Sequence, residues 1–150
     1  MTSTPNFLLS DLKKTQAISG WQDFRAEGNA FLKTASAAYA QHKKAFTALI
    51  LYNIIAMAIE KFVMAALMCQ GTLPANHTME YLVAAMDGTF PGTMAGIREG
   101  LLALDQYQEI CAVETFKISG PAMAEIAVML ELAGRLQELV TAILDQASAE

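Results

Sequence analysis

At 150 residues and a formal net charge of −5, the chain is long enough for a single domain that folds around its own core without disulfide staples. Hydrophobic residues make up 54% and charged residues 17%, which excludes a solvated, disordered chain and calls for a thick core, a sizeable interface, or both. Residues 1–75 hold seven Lys/Arg against four Asp/Glu, net +3, and residues 76–150 hold three against eleven, net −8; so acidic a second half does not suit a long phosphate-tracking surface, and no DNA partner is expected.

In chain order, residues 1–20 read as a loosely packed N-terminal extension of one domain spanning 1–150. They lack the basic start and long apolar run of a secretory leader. Strand signals are nearly absent, because no period-2 alternation is sustained and Ala, Leu and Met outnumber β-branched residues. A first helix is expected from Trp21 to about Gln41, with Phe24, Phe31, Ala35 and Ala38 at helical spacing. Gly28 inside it costs roughly 1 kcal/mol relative to alanine. Length alone places a bend near His42–Lys44, because an unbroken helix to Gln70 would span about 75 Å. A second helix is expected from Lys44 to Gln70, ended by Gly71, since glycine enters the left-handed conformation cheaply. A short third helix follows, capped by Asn76, His77 or Thr78 and stopped at Asp87-Gly88. The fourth is expected over Thr93–Thr115, with Met94, Ile97, Leu101, Leu104 and Tyr107 as its stripe. The fifth opens at Ser119, with Gly120 and Pro121 in its first turn, and reaches Ala147. Its buried face is Ile126, Leu130, Ala133, Leu136, Val140 and Ile143. The expected fold is all-α, an antiparallel up-and-down bundle of four longer helices and one short one.

Ala45–Met68 is apolar enough to raise the question of a membrane span. Asn53 and the adjacent Glu60-Lys61 pair argue against it, since a charge at mid-helix costs about 2.5–3.5 kcal/mol. A helix apolar on most sides fits the centre of a bundle or a dimer seam instead. Cys69 and Cys111 form no CxxC and read as buried thiols in a reducing, cytoplasmic setting. The nine methionines read as core filler. Lys13, Lys14, Lys33, Lys43 and Lys44 read as solvated side chains, with a small phosphate or an acidic partner as the alternative use.

Motifs that carry chemistry are missing. There is no GxGxxG, Walker A, HExxH or GxSxG sequence. His42 and His77 share no metal-ligand spacing with the cysteines, and neither has a glutamate three residues before it, so no metal is expected. The oddity is Glu60 with Asn53, seven residues apart and nearly on one face of the second helix. A buried carboxylate there needs a partner. Candidates are the 71–77 loop amides, Tyr107, or groups on other helices. Such a network either holds loop and helices in register or lines a polar ligand pocket; the remaining alternative is that these side chains are simply exposed. His77 reads as a cap or a surface residue.

Ala56-Met-Ala-Ile-Glu60-Lys61, Leu67, Gly71, Pro74, His77 and Tyr81-Leu82 together resemble the HEPN domain, in which a helix bearing A-x-E-K ends in a G-x-x-P-x-x-H loop. Ala124-Glu125-Ile126, Ala133 and Glu138-Leu139-Val140 look like that family's last helix. The resemblance implies a bundle that is often dimeric and is associated with nucleotide binding, RNA cleavage in toxin–antitoxin systems, or a nucleotidyltransferase partner. The family's ribonucleases carry an arginine followed four to six residues later by histidine. Arg25, Arg98 and Arg135 have no such histidine, and Asp105-Gln-Tyr107-Gln-Glu109-Ile-Cys111 stands where the motif belongs. The reading is a non-catalytic homodimer without cofactor that binds a partner protein or a nucleotide-like ligand through Asn53, Glu60, Lys61 and His77. The alternatives are a structural bundle of another family, or an enzyme whose site is shared across a dimer.

Overall fold

The computed structural model describes residues 17–111 and 120–149, with side chains through Tyr107 and from Gly120 to Ser148. Its helices are α1 (Trp21–Ala40), α2 (Ala48–Cys69), α3 (Met79–Thr89), α4 (Arg98–Ala103) and α5 (Met123–Ala149), and a 3₁₀ segment, Leu104–Cys111, continues from α4. The described residues include no strand, and the protein is all-α.

α1 and α2 run in opposite directions. Ile18 N–H donates to Met68 O at 2.7 Å, and Glu27 near the start of α1 reaches Lys61 near the end of α2. The chain reverses at Gln41–Thr47, where His42 takes a left-handed φ of 50°. α2 starts at Ala48 rather than Lys44, because the Thr47 hydroxyl accepts the Ile50 amide at 3.2 Å and fixes the helix start there. Its far end is a Schellman turn. Gly71 sits at φ 76°, its N–H meets Met68 O at 3.0 Å, and the Thr72 N–H meets Leu67 O at 2.9 Å.

Thr78 caps α3 through its hydroxyl and the Tyr81 amide. Asn76 supports that cap by accepting from the Thr78 amide and hydroxyl. α3 does not stop at Asp87-Gly88 but runs on to Thr89. Asp87 turns outward to Arg98, 2.9 Å away, and leaves the backbone to continue.

The long fourth helix expected over 93–115 is the main departure. Thr93–Ile97 is a series of turns behind Gly92 at φ 80°, and α4 is six residues long. Beyond it, side chains claim the backbone. The Tyr52 hydroxyl donates to Leu104 O at 3.2 Å, taking the acceptor a continuing helix would use, and Asp105 is drawn off to the start of α3. Residues 112–119, including the expected helix end at Thr115 and the opening at Ser119, lie outside the described residues, as does the 1–16 part of the N-terminal extension. α5 begins two residues after Pro121. Glu125 reaches back to the Ala122 amide at 2.8 Å, which is half of a capping box.

α2 is the axis of the core. From Phe62 to Met68 every residue is buried, packed among α1, α3 and α5. It is long and apolar enough to cross a membrane, with mean hydropathy 1.7, and half of that stretch is buried by the rest of the chain. Its first half is different. Leu51, Tyr52, Ile55, Ala58 and Ile59 face inward, while Leu49, Ile50, Asn53 and Met57 face out.

Candidate functional site

The four residues singled out in the sequence do not converge. Glu60 and His77 do meet, Oε1 against Nδ1, so a carboxylate on α2 holds the loop that leads into α3. Neither is deeply buried: the side chains are 33% and 55% exposed. The buried network expected around Glu60 is therefore a partly exposed pair, covered on this side of α2 by the loop before α3. Its partner is an imidazole rather than a loop amide or Tyr107. His77 is not the cap of α3; Thr78 is.

Lys61, the next residue along the helix, points elsewhere. Its ammonium lies 2.7 Å from Glu27 and 4.5 Å above the ring of Phe24, an ion pair and a cation–π contact that lock α1 to α2. Asn53 stands two turns before Glu60 on the outward stripe, exposed among apolar neighbours.

A second polar group was only half visible in the sequence. Tyr107, in the 3₁₀ segment, is buried, stacks edge-on against Tyr52 at 5.3 Å between centroids, and donates its hydroxyl to Glu125 of α5. Burial, then the hydrogen bond to Glu125 and that carboxylate's charge, push the Tyr107 hydroxyl up to about 12. The Ala122 amide, followed by the Tyr107 hydroxyl, holds the Glu125 carboxyl below the usual carboxylate range. The pair joins the 3₁₀ segment to the start of α5.

Asp105 is the residue that sequence reasoning missed. Its two oxygens accept the Met79 and Glu80 amides at 2.8 and 3.0 Å, which places a charge-assisted cap on α3 from a segment 25 residues further on. The spacing gave no signal, because such caps are set by tertiary packing.

Among the described residues no three of His, Cys, Asp or Glu group as a metal would require. Cys69 is half-buried rather than fully buried, and its burial pushes the thiol up, away from a reactive thiolate. The Cys111 side chain lies outside the described residues.

No family model, curated protein or solved structure matches the chain.

Proposed function

We propose that this chain is a non-catalytic antiparallel helical bundle whose task is self-association, two copies meeting along the outward stripe of α2. The observation that carries this reading is the exposure of large apolar side chains on the core helix itself: Leu49 at 38%, Ile50 at 42% and Met57 at 42%. Among the described residues nothing covers this face of a helix whose other side forms the core.

The stripe suits a second copy of itself. Asn53 lies at its middle, and a carboxamide both donates and accepts, so Asn53 can pair with Asn53 of the second copy across a two-fold axis. Ile50 and Met57 flank it by three and four residues, so an antiparallel crossing centred there lays Ile50 against the second copy's Met57. A polar residue inside an apolar seam fixes register at some cost in affinity. The Glu60–His77 pair closes one end of the stripe with a carboxylate already partnered within the chain. The resemblance of this segment to HEPN-type domains, many of them dimeric, points the same way.

Light scattering and sedimentation equilibrium on the whole chain test the proposal. The expected result is a dimer that Ile50→Glu or Met57→Glu converts to a monomer with unchanged helical circular dichroism, both sites being exposed in the single chain. A clean monomer at high micromolar concentration, or a dimer indifferent to both substitutions, would overturn it. So would association with lipid vesicles in the absence of any self-association.

A further inference from the structure

The turn between α1 and α2 holds a pocket of about 220 Å³ lined by Ala38, Tyr39, Phe46, Thr47, Leu51 and Met123 together with His42, Lys43 and Lys44. Its composition is split. Ala38, Tyr39, Phe46, Leu51 and Met123 make part of the lining apolar and partly aromatic, and three consecutive basic residues, His42, Lys43 and Lys44, share it. Among the described residues no carboxylate lines it, and neither lysine, nor His42, forms an ion pair.

Two other surface pockets lack this imbalance. The one beside Tyr107 has Glu125 as its charged wall, and that carboxylate is already engaged by Tyr107 and Ala122. The one between Thr93 and Leu139 carries both Arg135 and Glu138, charges of opposite sign. At the α1–α2 turn the described lining pairs apolar side chains with basic residues and no acid.

We propose that this pocket binds a phosphate monoester on a compact apolar or aromatic body. Lys43 and Lys44 supply the charge that matches a dianion, and His42 adds a further nitrogen. Tyr39 and Phe46 supply ring surface for the body of the ligand. The Thr47 hydroxyl accepts the Ile50 amide and keeps its own O–H to donate, so it can add to the lysines at the head group. The volume lies below the roughly 300–1,000 Å³ of sites that take drug-sized ligands, which limits the body to about one ring. The pocket shares no side chain with the outward stripe of α2, so this site stands or falls independently of self-association.

Phenyl phosphate is the probe, followed by amide chemical shifts of the full chain in heteronuclear NMR. The expected result is saturable perturbation across residues 38–47 and at Met123, with benzyl alcohol and inorganic phosphate each binding more weakly by about tenfold or more, since each lacks half of the recognition. Lys43→Gln combined with Lys44→Gln should weaken phenyl phosphate by at least about tenfold, while Ile50→Glu should leave it unchanged. Both lysines are exposed and outside the helices, so the double variant keeps its fold. The proposal is overturned if phenyl phosphate perturbs nothing, if benzyl alcohol binds equally well, or if the double variant binds as the parent does.

Discussion

Gly28 lies in the middle of α1, where glycine weakens a helix by about 1 kcal/mol against alanine. The structure supplies the reason for it. A Cβ there would meet Cδ1 and Cε1 of Phe62 at 2.8 Å each and Cβ of Lys61 at 3.3 Å, and the Phe62 ring is 1% exposed. The ring is enclosed by the core, so it cannot swing aside, and α1 must lift from α2 instead. Overpacking of this kind costs about 1–3 kcal/mol, which exceeds the helix-propensity gain over most of its range. Gly28→Ala should therefore destabilise the protein by up to about 2 kcal/mol net. Gly134, in the middle of α5, is its control. Nothing lies within 4 Å of a Cβ built there, so Gly134→Ala should stabilise by roughly 0.5–1 kcal/mol. Urea unfolding followed by circular dichroism reads both as shifts of the midpoint at constant slope. If Gly28→Ala raises the midpoint as Gly134→Ala does, the close approach of α1 to α2 is not as described, and the packing argument fails with it.

Other expectations concern the polar clamps. Asp105→Ala should cost about 1–2 kcal/mol by stripping the cap from α3, with Asp105→Asn retaining part of that stability; equal losses would mean the carboxylate acts in some other way. Folding favours the ionised form of Glu125, so its contribution is complete above the ordinary carboxylate range and is lost as pH falls through the lower folded value. Glu125→Gln should flatten that acid limb in urea midpoints taken at successive pH values, and an unchanged limb would remove Glu125 as its source. Tyr107 has the opposite sign. The folded chain keeps its proton while the unfolded chain releases it, so stability should fall between about pH 10 and pH 12, and Tyr107→Phe should abolish that fall.

Much of the core was legible because burial follows spacing. Met94, Ile97, Leu101, Leu104 and Tyr107 were grouped as one helical stripe, and all five are buried. Yet α4 is six residues long, and what surrounds it is turn and 3₁₀. Tight turns and 3₁₀ helix bring every third or fourth residue to the same side almost as an α-helix does, so the pattern located the core without fixing the backbone. In α5, Ile126, Ala133, Leu136 and Val140 are buried as expected, while Leu144 takes the deeper place beside Ile143. The glycine ending α2 was readable because a left-handed residue has few candidates. The site was far less legible. Glu60, Lys61 and His77 were picked out by type, but adjacent helix positions diverge by about 100°, so Lys61 serves α1 while Glu60 serves the loop. Asp105 carried no mark at all, because its meaning depends on which helix start the fold brings to it.

That last contact ties together the two ends of a long stretch of chain. The α3 amides at Met79 and Glu80 find their acceptor only when Asp105 arrives, and Leu104 beside it is held by Tyr52 of α2. Residues 79–105 are thus closed into one loop by a latch made from a side chain at one end and bare backbone at the other. Releasing the latch frees both ends together, so α3, the turns after it and α4 should open and close as a single cooperative unit, leaving the α1–α2 pair standing.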